Sequence, residues 1–123
     1  MSRKTLPPEV QQLIVQYQTL KETHAKIDAE LKLTEAELTD VDTVLNTVKN
    51  LEDTAELYKV VGHILVKKGK NDVIKELEER KEILSLKRDK YKRQLDFLVK
   101  QISELEAKLR EALGRYGITV GQA

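Results

Sequence analysis

The chain has 123 residues, enough for one domain; 40% are hydrophobic, 35% charged and only 4% aromatic, with no Trp and no Cys. The absence of cysteine excludes disulfides, thiol catalysis and Cys-based metal sites, and a net charge of +1 argues against a general nucleic-acid binder. Leu, Val, Ile and Ala mixed with Glu and Lys is the composition of long helices, whose apolar surface must meet another helix or another subunit.

At the N-terminus, Met1-Ser2-Arg3-Lys4 carries two charges, and Pro7 and Pro8 follow in place of an apolar stretch. That is unlike a signal peptide, and no run of about 18 apolar residues occurs that would span a membrane. A cytoplasmic protein is expected. Pro8 suits the first position of a helix, and no Gly or Pro follows until Gly62. Val10, Leu13, Tyr17, Leu20, His24, Ile27, Leu31, Thr34, Leu38, Val41, Leu45 and Val48 step by three and four in strict alternation. This heptad seam predicts a first helix over 8–52.

Next the period changes. Glu56 to Val61 and Ile64 to Lys68 are β-branched and apolar runs separated by Gly62-His63. This predicts a β-hairpin over 56–68 with a two-residue turn. The heptad steps then resume at Ile74, Leu77, Lys81, Leu84, Arg88, Tyr91, Leu95, Leu98, Ile102, Leu105, Leu109 and Ala112, giving a second helix over 72–113. Ile83 and Leu86 sit beside the seam where Lys81 and Arg88 interrupt it. Asn71 or Asp72 is the expected N-cap and Gly114 the expected stop. Residues 114–123 are expected to be a flexible tail.

The two seams have equal length, roughly 65 Å at 1.5 Å per residue. Residues 1–52 hold six basic and nine acidic side chains, and residues 73–123 hold twelve basic and nine acidic. Opposite net signs favour pairing the helices with each other. Folded back, partners have numbers summing to about 122, so Val48 meets Ile74, Leu31 meets Tyr91 and Leu13 meets Leu109. The basic cluster Lys87, Arg88, Lys90, Lys92 and Arg93 then falls opposite Glu30, Glu35 and Glu37. The fold expected over residues 1–123 is mainly α: a single domain formed by a long antiparallel two-helix coiled coil with one β-hairpin between the helices.

Two surfaces stand out. An isolated two-stranded hairpin is marginal in water, and its unpaired edges seek other strands. Leu57, Tyr58, Val60, Val61, Gly62, Ile64, Leu65 and Val66 are therefore candidates for subunit assembly. The other surface lies at the far end of the coil, where Leu6, Val10, Leu13, Ile14, Leu109, Leu113, Tyr116, Ile118 and Val120 gather. Apolar side chains exposed there suit non-directional binding of other chains. No catalytic, cofactor or metal site is expected. His24 and His63 are far apart and lack nearby ligands at suitable spacing. The segment Gly62–Lys70 has the wrong glycine spacing for a phosphate loop, and Asn71 stands where Ser or Thr is required.

The long helix, the stretch Leu57-Tyr58-Lys59-Val60-Val61-Gly62-His63-Ile64-Leu65-Val66-Lys67-Lys68 and the matched second helix together resemble the β-type subunits of the prefoldin family. Room for only one hairpin separates the chain from the two-hairpin α-type, and the short form is similar to the archaeal version. The resemblance implies an ATP-independent chaperone subunit and a hexamer of two α-type and four β-type chains joined through the hairpins. It also implies capture of unfolded or nascent proteins by the coil tips, and their delivery to a group II chaperonin. The alternative is a structural coiled-coil adaptor that holds no clients. A helical arm for nucleic acid would need a basic stripe, which the near-neutral balance disfavours.

Overall fold

The computed structural model describes residues 6–117. Four elements follow one another: α1 (Pro8–Lys49), β1 (Leu57–Val61), β2 (Ile64–Lys68) and α2 (Lys70–Arg115). The fold is the expected one, two long helices with an antiparallel two-stranded hairpin between them.

Pro8 occupies the first position of α1, where its missing N–H would have no helical partner. The carbonyl of Pro7 accepts the first helical bond, from the Gln11 amide at 3.0 Å. The Gln11 side chain also donates to the Leu6 carbonyl at 2.7 Å, which ties down the entering chain. α1 ends at Lys49, three residues before the expected 52. The last turn tightens there, with the Leu51 amide bonded to the Val48 carbonyl at 3.1 Å. The Leu51 carbonyl is taken instead by the ammonium of Lys70, at 2.6 Å.

α2 begins earlier than expected. The Val73 amide donates to the Gly69 carbonyl at 3.0 Å, so Gly69 is the residue that flanks the helix, and Asn71 and Asp72 lie inside its first turn. Asp72 there still favours the positive end of the helix dipole. At the other end Gly114 is helical, and it is Gly117, with φ of 69°, that turns the chain out of α2. A left-handed residue is needed to finish the turn, and Gly117 adopts it without a Cβ penalty.

The chain divides into two compact units. One comprises Glu30–Lys90; the other comprises the stretches up to Ala29 and from Tyr91 onward. In the Glu30–Lys90 unit, Leu31, Leu38, Leu45 and Val48 of α1 and Leu84 of α2 form the buried apolar core. Thr34 joins them at 3% exposure. Its hydroxyl donates to the Glu30 carbonyl at 2.9 Å, so burial leaves no orphaned group. Three ion pairs cross between the helices: Lys49–Glu78 at 3.4 Å, Lys81–Asp42 at 2.7 Å and Arg80–Glu37 at 2.7 Å. They run in the antiparallel sense and straddle the expected register. They also correct one expectation about the basic cluster. Glu37 is engaged by Arg80, and Arg88 turns to its neighbour Asp89 at 3.1 Å.

In the other unit, Val10, Leu98, Ile102, Leu105 and Ala112 are buried. Arg115 meets Glu9 at 2.8 Å, joining the end of α2 to the start of α1. Every position of the α1 seam is buried or half-buried, while Val15 and Leu33, off the seam, are exposed. On α2 only Lys81 leaves the seam, to reach Asp42. Ile83 and Leu86 do not replace it; both are exposed, and Leu84 between them takes the core position.

Candidate functional site

The turn between the strands fixes the geometry of the hairpin. Gly62 has φ of 59°, and no other described residue except Gly117 has positive φ. With the left-handed residue first and His63 second, the turn is type II′, whose twist matches the flanking strands. Val61 then faces Ile64, followed by Val60 with Leu65, Lys59 with Val66, Tyr58 with Lys67 and Leu57 with Lys68.

Two consequences follow from this register. A two-residue turn makes Val61–Ile64 a hydrogen-bonded pair, as every second pair below it must be. The N–H and C=O groups of Tyr58 and Val60, and those of Leu65 and Lys67, therefore point outward along the two edges. No third strand lies beside them among the described residues. Side chains also alternate between two faces. One face carries Leu57, Lys59, Val61, Ile64, Val66 and Lys68; the other carries Tyr58, Val60, Leu65 and Lys67. Leu57 and Val66 are half-buried. Val60 is 70% exposed and Leu65 67%, with Tyr58, Val61 and Ile64 also open to solvent. A ribbon this apolar, with both edges unpaired, has the features of a surface that other strands cover.

Charged contacts hold the hairpin to α2. Glu76 accepts from Lys59 on Oε2 at 3.2 Å and from Lys68 on Oε1 at 3.3 Å. The Lys59 and Lys68 ammonium groups, bonded in that order of effect, hold the Glu76 carboxyl below its ordinary pKa. Lys70, with its side chain largely buried, donates to the Leu51 carbonyl and pairs with Asp53 at 3.2 Å. Beside β1 runs a groove of about 480 Å³ flanked by Tyr58, Val73, Leu77 and Ile83. Sequence patterning marks the apolar strand residues but not Glu76 or Lys70. In a chain with 21 acidic and 22 basic side chains, only the folded geometry selects the partners.

The second group of candidates lies at the start of α1 and the end of α2. Leu6, Leu13, Ile14, Leu109 and Leu113 are half-buried and Tyr116 is exposed. Val10 differs, being fully buried and part of the core. Ile118 and Val120 lie outside the described residues. Among the described residues no three His, Cys, Asp or Glu side chains converge as metal ligands, and no helix is long and apolar enough to cross a membrane.

Comparison with known proteins agrees with this layout. The family model for prefoldin subunits matches residues 11–116. The prefoldin subunit beta of Saccharolobus islandicus strain L.S.2.15 is 40% identical over 117 residues, covering 95% of this chain and 93% of the relative. That of Sulfurisphaera tokodaii is 36% identical over 111 residues, covering 90% and 89%. The crystal structure of the prefoldin beta subunit from Thermococcus strain KS-1 superposes with a TM-score of 0.82 at 29% identity, covering 90% of this chain and 97% of the other. Matched in its helices and its single hairpin alike, the chain belongs to the prefoldin family.

Proposed function

We propose that this chain, a prefoldin-type chaperone subunit, works without catalysis or ATP as the β-type component of a hexamer of two α-type and four β-type chains. The hairpins join the subunits. The apolar side chains at the start of α1 and the end of α2 hold unfolded or nascent proteins, which pass to a group II chaperonin in the cytoplasm. The observation that carries this reading is the hairpin: Val60 and Leu65 stand largely exposed on a ribbon with two open edges. Covering each such side chain contributes about 1.5–3 kcal/mol, and strand pairing satisfies the edge groups at the same time.

Client holding rests on weaker individual contacts. Leu6, Leu13, Ile14, Leu109, Leu113 and Tyr116 offer partial apolar surface on each chain, and several chains acting on one client supply avidity. Mixing the chain with an α-type partner and measuring mass tests assembly. A complex near six chains is expected, and a persistent monomer or simple dimer refutes it. Removing the residues before Val10 and after Leu109 tests holding. Assembly should persist while suppression of aggregation of denatured proteins is lost. Unchanged suppression rules out Leu6, Leu113 and Tyr116 as the client site; failure of the full chain to suppress any aggregation favours a structural adaptor.

A further inference from the structure

The two lysines that meet Glu76 come from different strands, yet share one face of the hairpin. Lys59 sits opposite Val66 and Lys68 opposite Leu57, so both project to the side on which Leu57 and Val66 are half-buried. Glu76 takes one lysine on each carboxylate oxygen, at 3.2 and 3.3 Å. A single carboxylate of α2 therefore spans both strands. On the opposite face, with Tyr58, Val60 and Leu65, the side-chain polar contacts among the described residues are the Tyr58 hydroxyl to Glu56 at 3.1 Å and the Lys67–Glu56 pair at 3.8 Å. Both of those are to a residue just before β1, so no polar contact ties that face to a helix, and its one approach to α2 among the described residues is Tyr58, which flanks the groove with Val73, Leu77 and Ile83.

We propose that Glu76 is a positioning residue for subunit assembly, a two-pronged pin that turns the Lys59–Lys68 face toward α2 and so presents the Tyr58–Val60–Leu65 face to the strands of a neighbouring subunit. The inference rests on the reading that the hairpin joins subunits, and adds which face is presented and what fixes it. The pin acts by direction rather than by strength. Both ion pairs are partly exposed, and such pairs add little to global stability. A two-stranded ribbon without them is free to twist and tilt on the loop at its base, so fewer encounters find the face correctly aimed. Replacing Glu76 by a cation sets three positive groups together and reverses the bias.

The absence of cysteine makes the test direct. Spin labels are attached through His63→Cys in the turn and Glu82→Cys on α2, and the distance distribution between them is measured in the isolated chain. Assembly with an α-type partner is measured in parallel by native mass spectrometry, with helicity as a control. Glu76→Lys should broaden the distribution and weaken assembly about tenfold with helicity unchanged, and Glu76→Gln should do both to a smaller degree. Combining Glu76→Lys with Lys59→Glu and Lys68→Glu should restore both readouts. A narrow distribution in Glu76→Lys overturns the pin. A broadened distribution with undiminished assembly overturns its role in assembly. Should the chain with Glu76 intact fail to assemble, the assembly reading falls first, and the distances in the isolated chain still report separately on the pin.

Discussion

Leu84 and Leu86 pose a sharp test of how this thin core is built. They are two residues apart on the same helix, yet Leu84 is 1% exposed and Leu86 64%. Leu84→Ala removes three carbons from a buried site. At about 0.8 kcal/mol per carbon the transfer loss is about 2.4 kcal/mol. A residual cavity adds to this, but two helices facing solvent can close in, so the total should be about 3 kcal/mol, in the lower half of the usual range. For a chain of this size that lowers the melting temperature by roughly 12 °C. Leu86→Ala makes the same chemical change and should stay within about 0.5 kcal/mol. Thermal and urea unfolding followed by far-ultraviolet circular dichroism read both variants. Equal losses in the two would refute the assignment of Leu84 to the core and of Leu86 to the surface.

Three further outcomes are expected. Gly62→Ala places a side chain on a left-handed turn residue and should destabilise the hairpin by about 1–2 kcal/mol; faster hydrogen exchange at Val61 and Ile64, with helical amides unchanged, is the measurement. Lys70→Met keeps the length of the side chain but removes its bonds to the Leu51 carbonyl and Asp53. Protection of amides 50–56 should fall several-fold, and unchanged exchange there would count against Lys70 as the group that holds this loop. The carboxyl of Glu76 is held below its ordinary value near 4.5 by Lys59 and Lys68. Its contribution is therefore complete above that value and lost as pH falls through the lowered folded pKa. A hairpin-reporting signal should loosen in that acid window, and Glu76→Gln should remove the transition.

Much of this fold is legible in the sequence because long repetition leaves few alternatives. Twelve α1 positions stepping by three and four define one face, and a one-residue slip would turn that face about 100° away from its partner. The hairpin is legible for a similar reason: Gly62-His63 interrupts two runs that suit strands and little else. Helix ends are less legible. Gly69, Asn71 and Asp72 are all competent N-caps, and the choice of Gly69 follows from where β2 delivers the chain. At the other end Gly114 and Gly117 compete, and Gly114 stays helical because the helix costs of a single glycine are small. Ion pairs are the least legible. Glu37 can reach several cations in principle, and its choice of Arg80 emerges only from the folded register. The same holds for the apolar ends of the coil, where Val10 and Leu13 look alike in the heptad but only Val10 is fully buried.

Threonine adds a feature that periodicity does not announce. Thr39, Thr43 and Thr47 form a row along α1, each hydroxyl bonded to the carbonyl four residues before it, at 3.1, 2.9 and 2.9 Å. These hydroxyls are satisfied within the helix, so the row offers few free donors to a partner.

The two edges of the hairpin differ in sequence, and this sets a rule of valence. A chain that offers one kind of edge on one side and another kind on the other is a bifunctional monomer. Joining two such chains consumes one edge of each and leaves two still reactive, so stepwise growth alone never ends. Termination requires either closure of the ribbon on itself or a comonomer shaped to cap it. Under the proposed hexamer the complementary subunit is that cap, and any excess of this chain is left open-ended.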